Sequence, residues 1–95
     1  MLYPFMTLED NTEIVHSESY TEDGIERVRV EIEKPVEGGF HSAECILPEY
    51  TWQNIQGFSE KDIAKLQDII ASLAHIIIRL AKNSRAEVAD YDGYH

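Results

Sequence analysis

Residues 59–82 read SEKDIAKLQDIIASLAHIIIRLAK, and this stretch decides the fold. Ile63, Leu66, Ile70, Leu73, Ile77 and Leu80 recur three and four apart, the seam of an amphipathic helix. Ile69 and Ile76 widen the seam on one side, and Ala74 and Ala81 on the other. Lys61, Lys65, Asp68, Ser72, His75, Arg79 and Lys82 fall on the opposite face. Ile78 breaks the pattern, so the last turns are apolar nearly all round. The start is equally legible. Ser59 is an N-cap, Asp62 stands where a capping box wants an acid, and Phe58 and Ile63 hold the positions of a hydrophobic staple. Asn83 reads as the stop.

A helix with one apolar face needs a sheet or a second helix to cover it. The chain before residue 59 supplies strands. Residues 25–34, IERVRVEIEK, alternate strictly: Val28, Val30 and Ile32 on one side, Arg27, Arg29, Glu31 and Glu33 on the other. Residues 40–47 form the next strand, with Ala43, Cys45 and Leu47 sharing a face. Residues 12–20 read as an earlier strand in which Ile14 and Val15 compete for the buried side. Residues 3–8 are strand-like, and Pro4 confines them to an edge or to the very start of a strand. Asp23-Gly24 is a hairpin turn. Residues 49–57 connect to the helix, with Tyr50, Trp52 and Ile55 covering one end of the core and residues 50–52 extending the sheet briefly. The expected fold is α+β: a three- to four-stranded antiparallel meander on one long C-terminal helix, a two-layer sandwich with one bare sheet face. Residues 1–83 form the domain; residues 84–95 read as an acidic, frayed tail, with one further helical turn capped by Ser84 and Glu87.

Composition narrows the function classes. Ninety-five residues make one domain. A single cysteine excludes an internal disulfide, so the fold rests on apolar packing. No apolar run approaches the ~18 residues of a membrane span, and the start lacks a signal-peptide pattern, so a cytoplasmic protein is expected. The formal charge is −10. Residues 1–60 hold 13 acids and 3 bases, and residues 61–95 hold 5 of each, so the whole excess lies in the sheet half. That surface repels phosphate backbones and disfavours nucleic acid. Two readings of it stay open: it keeps a small protein soluble, or it suits a basic protein partner.

No catalytic or cofactor signature stands out, and a non-enzymatic protein-interaction module is the expected class. His41 and Cys45 share a strand face four residues apart, and His16 can approach from a neighbouring strand. These three are the candidate ligands of the alternative reading, a small-ligand or metal-binding module. A structural zinc site wants four ligands, and no C-x-x-C pair supplies the rest. Ser72, His75 and Asp68 lie on one helix face but lack the strained elbow and oxyanion hole of a triad. No glycine-rich phosphate loop is present, and no cofactor is expected.

Three stretches carry a family resemblance: YPFMTLEDNTEIVHSE at 3–18, AECILPEYTW at 43–52 and GFSEKDI at 57–63. Together they resemble a group of short, uncharacterised bacterial proteins, a domain of unknown function. The resemblance implies a bacterial, cytosolic origin and no known activity. The element order is also similar in shape to antitoxins of the HicB type, which inhibit a small RNase partner. This chain lacks their small-residue motif before the helix and their appended DNA-binding segment, so no residue role is carried over.

The helix adds one expectation of its own. At ~36 Å it outruns strands of roughly 23–31 Å. The overhang would carry Ile76, Ile77, Ile78, Leu80 and Ala81, with Ile76, Ile78 and Ala81 as the interaction residues of a homodimer. The competing arrangement folds Val88 and Tyr91 back over the same patch.

Overall fold

The computed structural model describes residues 1–94 and, of the side chains, those of residues 1–84. The chain runs β1 (Leu2–Thr7), β2 (Glu13–Ser17), β3 (Tyr20–Glu22), β4 (Ile25–Val36), β5 (Gly39–Leu47), β6 (Thr51–Gln56) and α1 (Glu60–Tyr94). The sheet is antiparallel throughout, in the order β1-β2-β4-β5-β6, with β3 also on β4. Apart from β3, which lies off this path on β4, strands are therefore neighbours in the order in which the chain makes them. The α+β architecture and the meander agree with the sequence; the strand count is six instead of three or four.

Two departures account for the difference. The strand expected over residues 12–20 is broken in two. Residues 13–16 pair with 30–33 of β4, and residues 20–22 pair with 25–27 further along the same strand. At the break, the Ser17 hydroxyl accepts the Arg29 N–H at 3.0 Å, standing in for a backbone acceptor. The Ser19 N–H donates to the Ala81 carbonyl of α1 at 3.3 Å, which ties the break to the helix. The second departure is β6. The sequence extends the sheet only over residues 50–52, whereas TWQNIQ is a strand through Gln56, paired with β5. Trp52 is half-buried and its Nε1–H donates to Gln67 Oε1 of α1 at 2.8 Å. Ile55, expected to help cover the core, is 44% exposed.

Local chemistry places the turns. Asp23 and Gly24 both have positive φ, +53° and +78°, which makes the two-residue type I′ turn that suits the twist of a β3–β4 hairpin. Pro4 lies in the edge strand β1, where a missing N–H does no harm. The Leu47–Pro48 peptide is cis in the turn before β6.

The core lies between the sheet and α1. Ile14, Val28, Val30, Ile32, Cys45 and Leu47 come from the sheet, and Leu66, Ile70, Ile77 and Ala81 from the helix. The competition between Ile14 and Val15 is settled for Ile14, which sits opposite Ile32, while Val15 turns to the bare face. The helix begins as expected. The Asp62 N–H donates to Ser59 Oγ at 3.1 Å, and the Ser59 N–H donates to Asp62 Oδ2 at 2.9 Å, a reciprocal capping box. It does not stop at Asn83; the backbone stays helical through Tyr94. The Ser84 hydroxyl caps no new turn but donates to the Leu80 carbonyl at 2.9 Å within the same helix.

Candidate functional site

The three candidate ligands are not brought together. His16 on β2 faces Val30 on β4, and Val30 faces Cys45 on β5, so a whole strand separates the first from the third. Two strand spacings are roughly 10 Å. His41 lies four residues along β5 from Cys45, roughly 13 Å away. The three do share the helix-facing side of the sheet, but sharing a face is not sharing a coordination sphere. Among the described residues no group of His, Cys, Asp and Glu is placed to hold a metal ion.

Each of the three is explained by its own packing. His16 is buried, stacked on the Tyr3 ring at 5.6 Å and edge-on to Phe5 at 6.4 Å. Its Nδ1 lies 2.8 Å from the Ser17 carbonyl oxygen, which can only accept, so this nitrogen carries the proton of that bond. Cys45 is fully buried, and burial pushes its thiol up to about 11, leaving it neutral and poorly nucleophilic at pH 7. His41 packs edge-on to Phe58 at 5.5 Å and lies against Gly57. It thus plugs the junction between sheet and helix start. Ser72 and His75 are exposed on the outer face of α1, and the Ser72 hydroxyl is spent on the Ile69 carbonyl at 2.7 Å.

The expected overhang is corrected by burial. Ile77 and Ala81 are shut inside the chain, with Ala81 fully buried, and Ile78 packs against the core. The sheet reaches further than the sequence allowed, because β4 is 12 residues long and the β3–β4 end lies beneath this part of the helix. Lys82 reaches Glu26 of β4 at 3.4 Å, which confirms the overlap. Of the interaction residues expected, Ala81 drops out, Ile78 is mostly consumed, and Ile76 remains half-buried on the flank. Leu80 beside it is 38% exposed. The side chains of Val88 and Tyr91 lie outside the described residues.

The largest uncovered feature is the sheet face turned away from α1. It carries Glu13 and Val15 from β2, Arg27, Arg29, Glu31 and Glu33 from β4, and Ser42, Glu44 and Ile46 from β5. Two shallow troughs of about 400 and 360 Å³ run over it and meet at Glu44. The register sets Glu13 directly opposite Glu33, and Glu31 directly opposite Glu44. Like charges so placed weaken a sheet. Partial relief comes from Arg29, whose Nε is 2.9 Å from Glu31 Oε2, and from Gln53 and Asn54, whose amides donate to Glu44 Oε1 at 2.9 and 3.1 Å. Glu13 and Glu33 have neither an ion pair nor a hydrogen bond to their carboxylates among the described residues. Arg27 is already held by Glu49 at 3.1 Å and Glu22 at 3.2 Å. Hydrogen bonding to Arg27 lowers the Glu49 carboxyl below its ordinary range, and the same bond raises the arginine. Both arginines of this face are therefore occupied. Alternation along residues 40–47 already puts Glu44 on the side away from Cys45, whereas Glu13 and Val15 join this surface only once pairing settles which of Ile14 and Val15 is buried.

Compared with known proteins, the chain matches no family model, no curated protein and no solved structure, so the resemblance seen in its sequence is carried no further. Among the described residues no helix is long and apolar enough to cross a membrane.

Proposed function

We propose that this chain is a small, non-enzymatic protein-interaction module of the cytosol whose working surface is the bare face of its sheet. The observation that supports the reading is the composition of that face. Half-buried Val15 and Ile46 lie among four glutamates, two of which have no partner among the described residues, on a sheet layer that none of the described residues covers. Antiparallel sheets tolerate one wet face, but like charges set directly opposite one another are a cost that packing within the chain does not require. The test is site-specific photocrosslinking in cells, with the crosslinking residue placed at Ile46 on the bare face and at Ser72 on the outer helix face. The same protein captured at high yield from Ile46 and not from Ser72 is expected. Equal, diffuse labelling from both positions would remove the reading.

Self-association through α1 is a second and separable part of the proposal. Ile69, Leu73, Ile76 and Leu80 are spaced four, three and four apart along one flank, a seam spacing that suits a second copy about a two-fold axis. Leu80→Glu should convert a dimer into a folded monomer by light scattering. A wild-type chain that is already monomeric at high concentration would dismiss this part and leave the sheet-face reading intact.

A further inference from the structure

We propose that the bare sheet face receives a segment of another protein that carries lysine or arginine side chains around a short apolar stripe, lying across the strands instead of lengthening the sheet at an edge. The proposal rests on the interaction-module reading and says what the partner is and how it lies.

Charge complementarity selects the partner. Glu13, Glu31, Glu33 and Glu44 come from three adjacent strands, and the only arginines on the face among the described residues, Arg27 and Arg29, are committed to Glu49, Glu22 and Glu31. A cationic side chain laid over the Glu13–Glu33 pair meets two carboxylates that lack any partner among the described residues. A second copy is the wrong occupant here, since it would bring the same unpaired glutamates against themselves. A phosphate backbone is repelled for the same reason. Charge is not the whole surface. Val15 and Ile46 are half-buried, as is Tyr20 in the second trough, and Leu2 lines the first. A small cation or a polyamine would leave these uncovered; an amphipathic peptide segment covers both kinds of group.

The edges select the binding mode. A partner that adds a strand needs an unbroken row of backbone donors and acceptors. On β1 that row is interrupted by Pro4, which has no N–H, and by a register shift that leaves Phe5 unpaired between Pro4 and Met6. On β6 it is interrupted between Gln53 and Gln56, where Asn54 adopts φ +53°. Bulges and proline are the usual means by which a sheet protects its edges. The edges of β1 and β6 are blunted in this way, β3 offers an edge only 3 residues long, and the face between them is open.

The test uses the full chain, labelled with ¹⁵N, and two synthetic probes. One is a lysine–leucine peptide with leucines at helical spacing; the other has the same composition in scrambled order. The ordered peptide should move the amide signals of Val15, Glu31, Glu44 and Ile46 and bind more tightly than the scrambled one, with affinity falling as salt rises. Changing Glu13, Glu31, Glu33 and Glu44 together to Gln should weaken it about tenfold or more, since exposed pairs are weak singly and add across a patch. Neutralising Glu9, Glu37, Glu60 and Asp68 instead removes the same charge elsewhere and should change affinity by less than about threefold. Glu33→Lys alone, a single surface change, should also weaken binding and guards against misfolding of the quadruple variant. Equal losses in the two quadruple variants, signal changes confined to β1, β6 or α1, or no binding at all would each overturn the proposal. The interaction-module reading fails separately, in the crosslinking experiment. A neutral or acidic protein captured there from Ile46 would sink this inference and spare that reading.

Discussion

Gly57 shows how much one residue can fix. It has φ +86°, and a methyl group built on it would run into the imidazole of His41. The same ring packs edge-on to Phe58 at 5.5 Å, just before the helix start. Gly57→Ala should cost about 1–3 kcal/mol, from a strained backbone and a crowded ring acting together. Chemical denaturation measures it, and an unchanged midpoint would mean the junction is looser than it looks. Asp62 acts at the next turn. Its carboxylate accepts the Ser59 N–H, and that hydrogen bond holds it below the ordinary carboxylate range. A depressed folded-state pKa stabilises the protein above the unfolded value, near pH 4, and the contribution disappears as pH falls through the folded value. Asp10, lowered by its hydrogen bonds to Thr12, and Glu49, lowered by Arg27, act in the same direction. Thermal unfolding followed from pH 6 to pH 3 should show Asp62→Asn less stable than wild type at pH 6 and the gap closing toward pH 3. A gap of constant size would rule out this role of the carboxylate.

At the scale of the element, α1 illustrates a drift between pattern and burial. The sequence seam averages 3.5 residues per repeat, while a straight helix turns every 3.6, so a strict seam rotates ~20° per heptad. Burial follows the helix. Leu66, Ile70, Ile77 and Ala81 are buried, whereas Leu73 is half-buried and Leu80 has rotated into solvent. Ile70→Ala should therefore cost roughly 2–5 kcal/mol and Leu73→Ala clearly less, although the sequence ranks them together. Equal losses would place the buried line back on the seam. Ile78 is the other residue moved by this correction. Because it packs on the core, Ile78→Asp should unfold the chain and would be a poor probe of association; Leu80→Glu is the clean one.

For the whole molecule, the charge is divided between layers: the strands carry the acidic excess, and the helix carries exposed Lys61, Lys65 and Arg79, with Lys82 at its flank paired to Glu26 of β4. A sheet layer this acidic repels itself, so melting temperature should rise as salt is added from low ionic strength to about 0.15 M. Glu33→Lys, which turns the repulsive pair with Glu13 into an attractive one, should raise stability by about 0.2–1 kcal/mol and flatten that salt dependence. A destabilised variant would show that Glu13 and Glu33 do not feel one another. The described residues have extents of 46 × 26 × 21 Å, and none of them covers the side of the sheet turned away from α1.

The sequence by itself determined the elements whose signal is local. The capping box of Ser59 and Asp62, the Asp23-Gly24 turn, the alternation of β4 and the edge position of Pro4 each depend on residues a few positions apart, and each is found in place. Tertiary structure alone decided what depends on neighbours distant in the chain. TWQNIQ is a strand because β5 offers it a free edge. The break at residues 17–19 exists because Ser17 and Ser19 find partners on β4 and α1. His16 and Cys45 look like partners in a list of ligands, and Val30 stands between them. The bare acidic face was half legible: alternation turned Arg27, Arg29, Glu31 and Glu33, and likewise Glu44, away from the core, but Glu13 joined them only when pairing buried Ile14, and the facing of Glu13 with Glu33 and of Glu31 with Glu44 came from register. Periodicity tells which residues of one strand share a side; it carries no information about which residue of the next strand lies opposite.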